Sequence, residues 1–137
     1  MLNTINIALS GLTAATKKVN ATASNVANVT TAGSLEEGKQ KPYDALTIRQ
    51  TALSDSHGNG AGVKSDIISA GKPFVPSYDP DSPFANEEGI IGTPNIDLAE
   101  EAVNLSLAEN TYKANIATFK VVDELTEELL SIFDDEV

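Results

Sequence analysis

Small or apolar residues recur at every seventh position near both ends of this 137-residue chain. Near the N-terminus there are two such series: Leu2, Leu9, Thr16 and Ala23, and Ile5, Leu12, Val19 and Val26. A third series lies in the C-terminal part and consists of Leu98, Leu105, Tyr112, Phe119, Thr126 and Phe133. Seven-residue spacing keeps these residues on one side of a helix, and that side needs a helical partner. We therefore predict an α+β fold that is mainly α, with long N- and C-terminal helices packed as a coiled coil and a small irregular or β middle region.

Local signals set the expected ends of the two helices. The first helix is predicted to start at about Asn3 or Thr4 and to end at about Asn28. The second is predicted to run from Leu98 to about Phe133, because Asp97 suits an N-cap and Glu100, three residues later, completes a capping-box pattern.

The middle of the chain contains most of the Gly and Pro residues and shows strand patterns. Strands are predicted at Tyr43–Leu53 and Gly62–Ser69, joined as a hairpin by the polar segment between them. Phe74–Tyr78 is expected to be extended and confined to a sheet edge, because Pro76 cannot donate a ladder hydrogen bond. The predicted division has three parts, namely an N-terminal helix at 1–29, a middle segment at 30–94 and a C-terminal helix at 95–137.

Charge is distributed unevenly along the chain, whose formal net charge is −11. Residues 1–28 contain two lysines and no acid, whereas residues 97–137 contain eleven acids against two lysines. This balance argues against nucleic acid as a partner, because phosphate recognition needs a basic patch. No apolar run approaches the roughly 20 residues that span a bilayer, so direct membrane insertion is not expected. Polar residues also interrupt the start of the chain, so we expect no ordinary cleaved signal peptide.

The chain offers little for catalysis or for ligand binding. It has no cysteine and a single histidine, His57, within a polar Gly-Asn-Gly context that suits a solvated loop. The glycine-rich segment at 58–65 lacks the glycine that a phosphate-binding loop needs before its lysine, since Val63 stands there. We therefore expect no catalytic residue, no metal and no cofactor. A small hydrolase using His57 with Asp55 or Ser56 is a remote alternative.

The first predicted helix has an uncharged polar back. Amide and hydroxyl side chains dominate it outside the apolar series: Asn6, Ser10, Thr13, Asn20, Thr22, Ser24 and Asn25. Solvent-facing helix surfaces usually carry Lys and Glu. The composition favours a helix with protein neighbours on every side, as in a fibre or packed tube, over a simple antiparallel helical hairpin.

Three segments resemble a known family. They are ASNVAN at residues 23–28, PNIDLAEEAVNL at 94–105 and ENTYKAN at 109–115. Together they resemble the bacterial flagellar basal-body rod protein family, and the second is most similar to its proximal rod members. Shorter matches at 42–43, 62–64 and 78–80 extend the resemblance over nearly the whole chain.

The resemblance implies a non-enzymatic structural subunit of the flagellar basal-body rod, which crosses the periplasm and transmits torque for motility. Members of this family self-assemble with copies of themselves and with other rod subunits. They pass through the flagellar type III export apparatus without a cleaved signal peptide. Their terminal helices form an inner tube with the middle region outside. The alternatives are another axial rod or hook-family subunit, and a soluble helical adaptor that binds a basic partner.

Eleven residues are predicted to mediate helix packing and assembly in such a subunit. The apolar ones are expected to hold the two helices together. The asparagines are expected to fix the register of the helices through hydrogen bonds of their side-chain amides. They are Leu9, Leu12, Val19, Asn25, Val26, Asn28, Leu105, Tyr112, Asn115, Phe119 and Val122. If the Phe119 ring is buried, Phe119→Ala should cost about 3 to 5 kcal/mol and block motility.

Overall fold

A computed structural model describes residues 2–134, with side chains described for 3–132. It consists of two long helices separated by four short strands. The elements in chain order are α1 (Leu2–Asn28), β1 (Leu46–Ser54), β2 (Gly60–Ser69), β3 (Val75–Tyr78), β4 (Ile90–Thr93) and α2 (Leu98–Asp134). The predicted mainly α, α+β class is confirmed. The side chains of Leu2 and Phe133, the end members of two heptad series, lie outside the described part.

Asp97 defines the start of α2, as predicted. Its Oδ1 accepts hydrogen bonds from the backbone N–H groups of Ala99 (2.8 Å) and Glu100 (3.4 Å), which have no partner inside the helix. The predicted return bond of the capping box is replaced by a surface ion pair, because Lys72 Nζ donates to Glu100 Oε2 at 2.8 Å. That hydrogen bond, supported by the nearby charges of Glu101 and Asp97, raises the pKa of Lys72.

The two helices pack antiparallel, so the two ends of the chain meet. Near the start of α2, Asn25 Nδ2 donates to Glu101 Oε1 at 2.6 Å. Further along the pair, Gly11 lies so close to Asn115 that a Cβ added to the glycine would overlap the Asn115 amide. These two contacts are two heptads apart on each helix, and this equal spacing keeps an antiparallel pair in register.

A β-hairpin covers a second side of α1. β1 and β2 pair antiparallel from Leu46↔Ser69 to Leu53↔Gly62, with a register shift beside the turn. Ser10 Oγ accepts a hydrogen bond from the Val63 N–H at 3.0 Å, and Lys17 Nζ donates to the Ser65 carbonyl. The predicted hairpin is confirmed.

The first strand is shorter than predicted, because it begins at Leu46 rather than Tyr43. The Tyr43 hydroxyl instead lies 2.9 Å from Ser24 Oγ on α1. The chain therefore contacts the helix before it enters the sheet.

β3 and β4 form a second antiparallel pair, with Val75↔Thr93 and Tyr78↔Ile90 at its ends. The sequence analysis predicted an extended segment at β3 but did not predict β4. Pro76 pairs with Gly92, whose N–H and C=O instead bond to Gly33 at 2.8 and 3.0 Å. The Gly92 carbonyl therefore has a donor in Gly33, although Pro76 has no N–H to offer.

The hydrophobic core is small and rich in alanine. Its buried apolar residues are Ala8, Ala14, Ala15, Ala21, Ala45, Ile91, Ala108 and Val122. Only two of these have side chains larger than a methyl group, so the fold of one chain buries few of its large apolar residues. Within residues 2–134, neither long helix has a stretch apolar enough to cross a membrane.

Candidate functional site

The helix interface contains small and polar side chains rather than the large ones. Along α2, the line that faces α1 consists of Glu101, Ala108, Asn115 and Val122, again at seven-residue spacing. This line starts three residues after Leu98, the first member of the predicted series. Small residues let two helix backbones approach closely, so the helices meet along this line and the larger side chains are displaced to its flank.

Asn25, in the last turn of α1, connects three parts of the chain and is only 1% exposed. Its Nδ2 donates to the Leu46 carbonyl at 2.9 Å and to Glu101 Oε1 at 2.6 Å. Its Oδ1 accepts from the Leu46 N–H at 2.8 Å and from the Tyr43 hydroxyl at 3.1 Å. Both donors and both lone pairs of the amide are therefore used.

This bonding makes Asn25 the joint between α1, β1 and α2. The Asn25 side chain forms hydrogen bonds to both the N–H and the carbonyl of Leu46, as a neighbouring strand would. It thereby fixes where β1 begins. It also gives Glu101, which is 8% exposed, a hydrogen bond in a region with little water. An arrangement of this kind fixes the positions of α1, β1 and α2 relative to one another.

The large apolar residues of α2 remain exposed along most of the helix. Those between 40% and 61% exposed are Leu98, Val103, Leu105, Leu107, Tyr112, Phe119, Val121, Leu125, Leu129, Leu130 and Ile132. Several lie beside α1, where Leu105, Ala108 and Tyr112 face Thr16 and Val19 across an open apolar groove of about 410 Å³. Large exposed apolar surfaces are typical of sites that bind another protein.

The eleven predicted assembly residues occupy three environments. Asn25 and Val122 are buried, and Leu12, Val19, Asn28 and Asn115 are half-buried. The remaining five are 40–54% exposed in the single chain: Leu9, Val26, Leu105, Tyr112 and Phe119. Asn28 Nδ2 and Asn115 Nδ2 each bond a carbonyl four residues earlier on their own helix, at 2.8 Å in both cases.

Two residues that bond to Asn25, Glu101 and Tyr43, were not identified as such from the sequence. Glu101 was not named because a charged residue is an unusual member of a buried helix line. Tyr43 was placed in a strand, although it bonds to α1. The available signal was the seven-residue step from Glu101 through Ala108 and Asn115 to Val122, which a search for large apolar residues overlooks.

The polar back of α1 is partly covered within the chain. Ser10 and Ser24 bond to the hairpin segment, and Thr22 and Asn25 are buried. Asn6, Thr13 and Asn20 are exposed, as are Leu9, Thr16 and Ala23. The predicted protein neighbours are therefore supplied by the same chain on the hairpin side of α1, and neighbours for the exposed side stay a prediction.

At the exposed hairpin tip, the residues of the hydrolase alternative form one side-chain contact with each other, between Ser56 Oγ and His57 Nδ1 at 3.3 Å. Asp55 accepts hydrogen bonds from the Asn59 side chain, the Asn59 N–H and the His57 N–H, and these bonds lower the pKa of Asp55. The carboxylate thus organises the turn and does not orient the imidazole, which is exposed. Among the described residues, no group of three or more His, Cys, Asp or Glu side chains is arranged to hold a metal ion.

Comparison with known proteins identifies the family. Residues 5–33, which comprise most of α1 and the turn after it, match the family described as flagella basal body rod protein. A flagellar basal-body rod protein FlgC of Escherichia coli O6:H1 is 33% identical over 133 residues, which cover 96% of this chain and 97% of that protein.

Relatives from other bacteria give the same result. FlgC of Buchnera aphidicola subsp. Acyrthosiphon pisum is 35% identical over 133 residues, covering 96% of this chain and 97% of that protein. FlgC of Bacillus subtilis strain 168 is 30% identical over 144 residues, covering 95% and 96% of the two chains. Because the similarity includes both terminal helices and the β middle between them, the chain belongs to the FlgC family of flagellar basal-body rod proteins.

Proposed function

We propose that this chain is a structural subunit of the flagellar basal-body rod that polymerises through its terminal helices and transmits torque. Family membership supports the rod assignment. The observation that carries the helix-mediated assembly is the exposure of large apolar side chains along α2, from Leu98 to Ile132. A helix that functioned alone in water would bury that surface or replace it with charged residues.

The energetics favour assembly over an isolated helix pair. Burying the remaining half of a Leu or Phe side chain contributes about 1 kcal/mol, so neighbours that cover several such residues stabilise the helices substantially. The alanine-rich core supplies much less within one chain. Ser, Thr and Asn residues along α1 also lower its intrinsic helix propensity. The helices are therefore expected to gain further stability when subunits assemble.

The finer features of this function form part of the same proposal. The partners are copies of this chain and other rod subunits, reached after export through the flagellar type III apparatus to the periplasmic rod. The terminal segments 1–29 and 95–137 build the shaft, and the β1–β2 hairpin of the middle segment 30–94 lies against α1. Close-packed helix interfaces resist deformation, which suits a shaft under torque. A scaffold of this type needs no catalytic group.

A charge placed in the apolar groove tests the proposal. Leu105→Glu should leave the isolated chain folded, because Leu105 is already 46% exposed. It should abolish rod assembly and swimming, since assembly would bury an unpaired carboxylate. The measurements are circular dichroism of the purified chain, electron microscopy of basal bodies and swimming assays.

Leu53→Glu is the matched control, because Leu53 is 42% exposed but lies beside the hairpin turn, away from α2. Cells that produce the Leu53→Glu chain should swim normally. Normal rods and swimming in Leu105→Glu cells would contradict helix-mediated assembly through this groove.

A further inference from the structure

The C-terminal part of α2 extends beyond the start of α1. Gly11 lies opposite Asn115, so in an antiparallel pair Leu2 lies level with about Glu124. Residues 125–134, here called the overhang, therefore project about 15 Å past the described end of α1. Among the helices and strands of the described residues, α1 is the only one against which α2 packs.

The overhang continues the line that contacts α1. Leu129 follows Val122 by one heptad and so extends the series that begins at Glu101. Leu125 and Ile132 flank it, and together with Glu128 the three apolar residues line a shallow open surface. All three are at least 40% exposed. The packing line of α2 thus extends beyond the end of α1. A heptad line without a partner is suited to pack against another helix.

Charge restricts which helix can cover it. Residues 121–134 contain Asp123, Glu124, Glu127, Glu128 and Asp134 and no basic residue. Two overhangs placed side by side would repel each other, which opposes a symmetric α2 to α2 contact. A helix without acidic residues is the better partner.

α1 is such a helix, and it has an uncovered face. It contains Lys17 and Lys18 and no acid. One side of it faces α2 and a second faces the hairpin. Leu9, Thr16 and Ala23 lie exposed at heptad spacing on a third side, which borders the groove beside α2 at Thr16. This third face, called the outer face of α1, is uncharged and has the periodicity that the overhang needs.

We infer that the overhang of one copy packs on the outer face of α1 in a second copy. The inference rests on the proposed function and specifies which surfaces join neighbouring subunits. Because the two surfaces differ, the contact is heterologous, and each added copy presents a fresh overhang and a fresh outer face. Such a contact builds an open-ended assembly or a ring rather than a closed dimer.

Cross-linking can test this contact directly, because the chain contains no cysteine. Three double variants carry Leu129→Cys together with Leu9→Cys, Thr16→Cys or Ala23→Cys, which sample three axial positions on the outer face. Each is produced as the only copy in flagellated cells, and isolated basal bodies are treated with a short bismaleimide linker. At least one variant should give a ladder of multimers of this chain, which is lost when either cysteine is omitted.

The control pairs Leu129→Cys with Leu53→Cys, an exposed position on the hairpin, and should give no ladder. Three outcomes would overturn the inference while leaving the rod assignment intact: no ladder from any double variant, dimers from Leu129→Cys alone, or adducts only with a different rod protein. If the unsubstituted chain were not found in isolated basal bodies, that result would instead contradict the proposed function itself.

Discussion

Asn25 shows how a single side chain can organise a small fold. Its amide uses all four hydrogen-bonding positions, on Leu46, Tyr43 and Glu101, and it is almost completely buried. A neutral amide suits this position because it donates to the Glu101 carboxylate and accepts from a backbone N–H at the same time. The asparagine at the end of α1 therefore sets both the start of β1 and the position of α2.

Asn25→Ala should destabilise the purified chain by about 3 to 5 kcal/mol. The substitution leaves the part-buried Leu46 backbone groups and the buried Glu101 carboxylate without their partner, and each buried group left unpaired costs about 1 to 3 kcal/mol. Urea unfolding followed by far-UV circular dichroism measures the change.

Asn28→Ala is the matched control in the same helical turn. The Asn28 side chain bonds only to the Ser24 carbonyl of its own helix among the described contacts, so its loss should cost less than about 1 kcal/mol. Equal effects of the two substitutions would argue against Asn25 as the joint.

The contact between the hairpin and α1 depends on close approach at one glycine. Gly62 has φ of +100°, and a Cβ there would collide with Ser10 Oγ. The neighbouring N–H of Val63 donates to that same hydroxyl at 3.0 Å. The left-handed backbone and the short distance to the helix thus require glycine at this point.

Gly62→Ala should destabilise the chain by about 2 kcal/mol or more, because it combines backbone strain with a steric clash. Gly60→Ala, two residues earlier, is the control: Gly60 is not among the glycines with positive φ, and nothing lies within 4 Å of its added Cβ. Thermal unfolding should separate the two variants, and a Gly62→Ala chain as stable as the Gly60→Ala chain would refute the close-approach argument.

At the scale of the whole molecule, the residues that hold the fold together differ from the large apolar residues that stay exposed. Small side chains such as Ala8 and Ala108 hold the helix pair together, while Tyr112, Phe119 and other large residues stay partly exposed. The single chain thus has a modest core and leaves most of the large apolar residues of α2 exposed. Mutations should therefore divide into those that unfold the chain and those that block only the rod.

Phe119→Ala tests that division. Because Phe119 is 40% exposed, we expect a loss of about 1 to 2 kcal/mol in the isolated chain, below the 3 to 5 kcal/mol typical of a fully buried ring. Rod assembly and swimming should nevertheless be strongly impaired. Denaturant unfolding combined with basal-body microscopy provides both readouts, and a variant that is barely folded in isolation would place Phe119 in the core of the single chain instead.

Local sequence patterns predicted the two helices and the hairpin of this protein and indicated its family. The heptad spacing predicted two paired terminal helices, Asp97 marked the start of α2, and alternating residues around a polar loop predicted the hairpin. Each of these features depends on residues close together in the chain, so a pattern can reveal it. The four-residue strand β4 has no such pattern, since its backbone pairs with β3 and bonds at Gly92 to Gly33, far away in the chain.

The side of each helix that faces inward was decided by the tertiary structure. Heptad spacing shows that a packing line exists, but the large apolar series and the line of small and polar residues three positions later have the same period. The helices meet along the latter because Gly11, Ala15 and Ala108 allow their backbones to approach closely. The bonds of Asn25 likewise reach across 21 and 76 positions of sequence, a distance that no local pattern contains.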